Sequence, residues 1–332
     1  MAAVRWGIIS TADIGMKKVI PGMMKSKKLE VMAIASRDGA RAAEAAKALG
    51  IRKSFGSYAE MLADPEVEAV YNPLPNHLHV PLTLQALKAG KHVLCEKPFG
   101  LTAAELDVLR PYAGKLHIRE AFMVKHHPQW IAAREHVRKG DIGTIRFIQV
   151  AFAYHNTDPA NVRNMADIGG GGLYDIGCYA ITAGRWFFEG EPLRVIGTFD
   201  RDPAFKTDRT ASGLMEFSGG RQLAFTVSTQ SCPYQRIQIL GDKGRIEIEI
   251  PFNAPPERAC RYAIDTGAGL AGEGINWFSL PAADQYQLQA ESFSDAVRNE
   301  APDARFLEDA MANMRVLDAF FRSESSSRFE AV

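Results

Sequence analysis

The chain has 332 residues, too many for one ordinary core, and its 46% apolar and 23% charged content is that of a globular protein, so two domains are expected. Lys plus Arg number 39 and Asp plus Glu number 39, which leaves no electrostatic pull toward nucleic acid or an anionic membrane, and neither is expected as a partner. No run of roughly 18 apolar residues is present to span a bilayer.

In chain order, Val4–Ile9 reads as a buried strand, Gly15–Ser26 as a helix, Leu29–Ser36 as a strand and the Ala-rich Arg41–Leu49 as a helix. Ser57–Ala63 is a helical turn, Ala69–Asn72 a strand, Pro81–Ala89 a helix and His92–Cys95 a strand. Thr102 and Glu105 have the spacing of a capping box for the next helix, and His117–Ala121 is a further strand. Repeated strand–helix–strand units predict a parallel sheet of Rossmann type covered on both faces. The later chain differs. Arg146–His155, Val195–Arg201, Gly213–Phe217, Gln222–Thr229, Arg236–Leu240 and Arg245–Ile250 read as strands, with helices near 128–139, 176–188 and 284–299. Gly219-Gly220 and Asp242-Lys243-Gly244 read as hairpin turns. The expectation is an α/β protein: a Rossmann dinucleotide-binding domain over 1–121, and over 122–332 a substrate-binding and oligomerisation domain with an open, mainly antiparallel sheet.

The opening residues lack a basic stretch followed by an apolar core and a cleavage site, so no secretory leader is expected. Cys95, Cys178, Cys232 and Cys260 are in neither CxxC nor zinc-ligand spacing. They read as reduced thiols of a cytoplasmic protein without a metal site.

The turn after the first strand is Ser10-Thr11-Ala12-Asp13-Ile14-Gly15. A Rossmann fold needs small residues there so that a pyrophosphate can approach the backbone and the following helix N-terminus. Two of the three usual glycines are replaced, by Ser10 and Ala12. An acidic residue about 20 positions further on would favour NAD. Ser36 and Arg37 stand there instead. A hydroxyl and a guanidinium suit the 2′-phosphate of NADP. Arg37 reads equally as a solvated loop residue, and Asp38 leaves use of NAD open. Glu96-Lys97-Pro98 ends a parallel strand on its carboxyl side, where open α/β sheets place ligands. Pro98 disfavours a helical Lys97. Lys97 is therefore a candidate to reach a substrate oxygen, against the alternative of a solvated turn lysine.

Pro73-Leu74-Pro75-Asn76-His77-Leu78-His79, Ala89 to Pro98, Glu120-Ala121-Phe122-Met123 with His127-Pro128, Gly169 to Tyr179, and Gly241 to Arg245 together resemble the glucose-fructose oxidoreductase, inositol dehydrogenase and MocA family over nearly the whole chain. The resemblance implies an NAD(P)-dependent, metal-free oxidoreductase acting on CH–OH groups, and a homodimer or homotetramer formed through the C-terminal sheet. It puts Pro73, Asn76, His79 and Glu96 with Ser10, Thr11, Ala12, Ile14, Gly15, Ser36, Arg37 and Lys97 as cofactor contacts. Asp175 and Tyr179 are four apart and share one face of a helix entered through Gly169–Gly172. Taken alone they read as a helix cap and a core aromatic; the resemblance makes them catalytic with Lys97. Tyr179, where many family members carry His, is similar to the branch holding glucose-fructose oxidoreductase, D-xylose dehydrogenase and dimeric dihydrodiol dehydrogenase. That implies oxidation of a ring hydroxyl of an aldose, or of a cyclic diol, with Tyr179 taking the proton while Lys97 holds the oxygen, or with those roles exchanged. His127, Asn161 and Arg163 are candidates for substrate contact alongside Asp175 and Tyr179; His126 is a further pocket candidate, while Trp130 and Trp186 read as core. A rival of another class is a catalytically silent NADP-binding regulator of the same fold.

Overall fold

The computed structural model describes residues 2–332. Two compact units result, one of residues up to Met123 with Asp284–Met311, the other of Val124–Ala283 with Ala312–Val332.

In the first unit, β1 (Val4–Ile8), β2 (Leu29–Ala35), β3 (Lys53–Phe55), β4 (Ala69–Asn72), β5 (His92–Cys95) and β6 (Ile118–Glu120) form one parallel sheet of order β3-β2-β1-β4-β5-β6. The apolar runs that marked the strands are the residues buried on both faces: Val4, Trp6, Ile8, Val70 and Val93 have no exposed surface. Because the strands are parallel, the segments after β1, β4 and β5 leave the sheet at one edge, and the strand order reverses between β1 and β4. Such a switch point is where doubly wound sheets hold ligands.

Residues 284–311 belong with this sheet, which departs from the division expected at residue 121. The helix Gln285–Asn299 returns to cover β1: Phe293 packs on Trp6 with ring centroids 5.1 Å apart, and the Trp6 indole N–H donates to Ser294 Oγ at 3.1 Å. A boundary read from local pattern misses a helix that comes home from distant chain. The segment Ala103–Tyr112 is a tight 3₁₀ stretch with Pro111 inside it, and the Thr102 side chain makes no cap bond. Glu105 accepts instead from the N–H of Leu101, the residue before Thr102, at 3.0 Å.

In the second unit, β7 (Ile145–His155), β8 (Pro192–Arg201), β9 (Asp208–Phe217), β10 (Gln222–Ser228), β11 (Gln230–Gly241), β12 (Arg245–Ile248), β13 (Cys260–Asp265), β14 (Ile275–Leu280) and β15 (Glu330–Ala331) make a sheet of order β14-β13-β12-β11-β7-β10-β9-β8-β15. Every pairing is antiparallel except β7 with β10. Both expected hairpin turns are present, between β9 and β10 and between β11 and β12. The core holds an aromatic group in which Phe152 stacks on Phe252 at 4.6 Å and the Tyr179 ring tilts against Phe252 at 5.4 Å. No helix among the described residues is long and apolar enough to cross a membrane.

Candidate active site

In the first unit, the turn after β1 is built from inside. Ser10 has a φ of 155°, a conformation glycine adopts freely, and its buried Oγ accepts from Ala12 N–H at 3.2 Å. The hydroxyl thus takes over the turn-holding work of the missing glycine. Gly15 opens a wide π-type turn, Gly15–Val19, whose start no side chain caps. A Cβ on Gly15 would sit 3.7 Å from Pro73 Cγ and 3.8 Å from the Tyr71 ring, so this loop and the segment after β4 lie together. At the end of β2, Ser36 is buried and its Oγ accepts from Asp38 N–H at 3.2 Å, while Arg37 is exposed. The exposed Asp38 carboxylate caps the next helix through Oδ1, which accepts from Ala40 and Arg41 N–H. Arg37 hydrogen-bonds the half-buried Tyr58 phenol, whose pKa burial nevertheless raises.

The Glu-Lys-Pro turn is clamped by carboxylates. Tyr71, fully buried, donates its hydroxyl to Glu96 Oε1 at 2.6 Å, and Glu96 Oε2 accepts from Lys97 N–H at 3.3 Å. Glu120, opposite Cys95 on β6, accepts from Phe99 N–H at 2.9 Å. These bonds fix the backbone on both sides of Lys97, and the Lys97–Pro98 peptide bond is cis. Glu96 therefore serves as an anchor of the turn. Tyr71 and Glu120 were not singled out from sequence, although Glu120 had a readable signal as a carboxylate at the carboxyl end of a parallel strand.

His79 is corrected from a cofactor contact to a buried clamp. It is 1% exposed, with Nδ1 2.7 Å from Pro98 O and Nε2 2.5 Å from Leu74 O, so both ring nitrogens are spent on the segments flanking Asn76 and Lys97. Burial lowers its pKa to about 4, against the upward pull of the two carbonyls. Asn76 opens the short turn Asn76–Leu78 and is half-buried.

In the second unit, Asp175 is the centre of a polar group. Its Oδ2 accepts from the Tyr154 hydroxyl at 2.6 Å and from Arg163 Nε at 2.9 Å. Burial and the adjacent carboxylate push the Tyr154 pKa far above its ordinary value, and the Asp175 charge raises that of Arg163, so both remain protonated donors. Arg163 keeps 40% of its side chain exposed, with only Nε engaged by Asp175. Asn161, expected at a substrate, instead accepts from Arg163 N–H at 3.1 Å and sets that residue's backbone. Tyr179 follows Asp175 by one helical turn and is largely buried. Tyr154 was missed because β7 alternates like any half-buried strand.

His127 is also corrected. It is 0% exposed and caps the helix Pro128–Lys139, with Nδ1 accepting from Gln129 N–H at 3.2 Å, and burial takes its pKa to about 4. It offers no surface to a substrate; its neighbour His126 is partly exposed. Trp130 packs as core against Phe187 at 5.3 Å, as expected.

Comparison with known proteins places these features in one family. The family model described as an oxidoreductase family with an NAD-binding Rossmann fold matches residues 4–126, and the GFO/IDH/MocA C-terminal domain matches residues 130–247. An uncharacterised oxidoreductase of Rhizobium meliloti is 47% identical over 100% of both chains. The D-xylose 1-dehydrogenase (NADP(+)) 2 of Haloferax volcanii is 35% identical, covering 96% of each chain. Among solved structures, the 3-ketoreductase KijD10 of Actinomadura kijaniata, in complex with NADP and TDP-benzene, superposes with a TM-score of 0.89 at 28% identity, over 97% of this chain and 98% of that one. With a Rossmann sheet, a mainly antiparallel second sheet and matches along nearly its full length, the chain belongs to the GFO/IDH/MocA family of NAD(P)-dependent oxidoreductases.

Proposed function

We propose that this enzyme is an NADP-dependent dehydrogenase that oxidises a ring hydroxyl of an aldose. The observation that carries the reading is the Asp175 carboxylate, held by Tyr154 and Arg163 one helical turn from Tyr179. A charged group fixed by two donors on a rigid helix is suited to orient a sugar hydroxyl, and Arg163 retains exposed N–H groups for another. The xylose dehydrogenase activity of the 35% identical relative agrees with a sugar substrate.

The residues of the first unit fit a nicotinamide dinucleotide. Ser10 adopts a glycine-like backbone, the helix from Gly15 opens without a side-chain cap, and Ser36 with Arg37 stands where a 2′-phosphate would be read. Ser10–Gly15, Pro73 and Asn76 would hold the remainder. When bound, the cofactor supplies the hydride acceptor at its nicotinamide. Lys97, fixed by the Glu96 and Glu120 clamps, donates a hydrogen bond to the reacting oxygen and stabilises charge as it develops there. Tyr179, acting as the phenolate that the nearby Arg163 charge favours, takes the hydroxyl proton, and Asp175 orients the substrate. Self-association through the nine-stranded sheet, as a dimer or tetramer, belongs to the same reading, since Phe147, Trp277 and Phe278 on its strands remain exposed.

The test is a screen of aldoses, cyclic diols and a nucleotide-linked keto sugar, followed by NADPH fluorescence, with wild type, Lys97→Met and Tyr179→Phe. An aldose should turn over. Each variant should lose roughly 10²-fold or more in kcat, the scale of a lost acid–base group, with NADPH affinity nearly unchanged. Near-normal turnover by either variant removes that residue from the chemistry. Tight NADPH binding with no turnover of any substrate would favour the silent regulator.

A further inference from the structure

The helix that carries Asp175 and Tyr179 starts at Leu173 with a π-type turn, Leu173–Gly177, and continues as Cys178–Phe188. The first N–H groups of any helix need acceptors from outside it. One comes from a strand distant in sequence. Asp208, the first residue of β9, accepts from Leu173 N–H through Oδ2 at 2.6 Å. Asp208 is 1% exposed, so this carboxylate faces no solvent and meets no substrate.

The same carboxylate shapes the glycine turn before the helix. A Cβ on Gly171 would lie 1.9 Å from Asp208 Oδ1, and Gly171 has a φ of 119°, outside the comfortable range of any other residue. A Cβ on Gly172 would lie 3.2 Å from the Asp208 carbonyl oxygen. Gly171 in turn donates its N–H to Arg163 O at 2.9 Å and accepts from Asp175 N–H at 3.0 Å. The residue pressed against Asp208 is thus bonded through its backbone to Arg163 and to Asp175, whose side chains also bond to each other. Movement of the Asp208 carboxylate would carry the turn, the helix start and that pair together.

Burial disfavours charge on Asp208, and the groups around it act in both directions. The helix N-terminus attracts negative charge. Arg201, from β8, lies close enough to lower the Asp208 pKa but is itself bonded to Glu324, whose charge raises it, as does burial; the balance is a value of about 7. The Tyr154 phenol, on β7, also feels the Asp208 charge.

We propose that Asp208 is a positioning residue for the reaction: it sets the Gly171–Leu173 turn and thereby the placement of Asp175, Arg163 and Tyr179, without touching substrate or cofactor. The proposal rests on the reading of Asp175 and Tyr179 as reacting groups.

Asp208→Ala and Asp208→Asn are to be compared with wild type and Tyr179→Phe, measuring kcat, KM, NADPH affinity and amide hydrogen exchange of peptides covering 171–179. Asp208→Ala should lower kcat about tenfold or more, because misplacement on the ångström scale is enough for that. NADPH affinity should hold, and exchange at Leu173–Asp175 should quicken. Asp208→Asn keeps an acceptor oxygen and should stay within about threefold of wild-type turnover. Wild-type kcat and exchange in Asp208→Ala would overturn the proposal. If Asp208→Ala does not fold, Asp208→Asn decides: its weaker acceptor should raise exchange at Leu173 and cut kcat by about threefold, and values equal to wild type would overturn the proposal. Failure of the parent reading looks different. Full activity in Tyr179→Phe removes that reading and leaves the exchange result standing, whereas an inactive Tyr179→Phe beside a fully active Asp208→Ala sinks the positioning role alone.

Discussion

Among the described residues, two helices carry a π-type turn close to their start, and their first turns are finished in opposite ways. At Gly15–Val19 no side chain caps the start, and Ser10 closes the loop locally by accepting from a backbone N–H two residues on. At Leu173–Gly177 a buried carboxylate from another strand takes the leading N–H. An open start presents backbone donors, which suits a pyrophosphate. A start whose Leu173 N–H is already bonded has one donor fewer to offer, and its helix carries Asp175 and Tyr179. Wide π turns occur often at functional sites; on the proposed reading, one of these would receive the cofactor and the other would aim the reacting groups.

The sharpest way to break that contrast is to place the same methyl group in both turns. Gly171→Ala forces a Cβ into the Asp208 carboxylate at a φ that strains any other residue. The combined strain and overpacking should lower stability by about 2–5 kcal/mol. Gly15→Ala meets only ordinary contacts at 3.7–3.9 Å in a helical position, and stability should stay within about 1 kcal/mol. Urea midpoints of the two variants measure this. Similar losses in both would mean that the two openings are not built differently.

The next effect sharpens the ligand-receiving side. A charge-assisted bond to phosphate is typically worth about 1.5–3 kcal/mol, so Arg37→Ala should weaken NADP binding about tenfold or more and leave NAD nearly unaffected. Arg37 already bonds Tyr58, which pre-sets its direction. Equal loss for both cofactors in a titration would remove Arg37 from phosphate reading.

How legible each region was follows from where its bonds come from. The first sheet could be read because a parallel strand buried on both faces is an apolar run, as in Val4–Ile8 and Ala69–Asn72. The short edge strand Lys53–Phe55 has no such run and was not anticipated. The Ser10–Gly15 turn could be read because its bonds are local. Asp175 and Tyr179 share a helix face by their spacing, but that spacing alone read as a cap and a core aromatic, and the family resemblance singled them out. What holds them was not visible. β9 was expected to begin at Gly213, and its true first residue, Asp208, sits in a mixed polar stretch with no periodicity. Tyr154 and Asp208 act through bonds spanning 21 and 35 residues, and no local pattern announces such a partner. The histidines are the converse: the resemblance put His79 at the cofactor and position put His127 at a pocket, yet both are buried and bonded to backbone through His79 Nδ1 and Nε2 and His127 Nδ1.

Those buried groups yield the smallest expected effect, which separates the two units by acid. In the first unit, burial takes His79 and His92 to about 4 and lowers His117 as well. An unfolded histidine titrates near 6.5. Between about 6.5 and 4 the unfolded chain therefore binds more protons than the folded unit, and stability falls as the pH drops through that window. Glu68, held near 2 by Arg298 and Arg5 against the cost of its own burial, stays ionised in the folded unit throughout and weakens it only below the ordinary carboxylate range. The second unit carries His127 at about 4, with the same sign, but also Asp208 at about 7. There the folded state takes up the proton first, because an unfolded Asp titrates near 3.9, so falling pH stabilises through Asp208 while it destabilises through His127. The two contributions oppose each other in the second unit. Hydrogen exchange at pH 5 relative to pH 7, corrected for intrinsic rates, should show lost protection over β4–β6 while β9 and β10 hold. Equal loss in both sheets, or earlier loss in β9 and β10, would show that Asp208 does not carry its proton in this range and that the two units are not tuned apart by their buried charges.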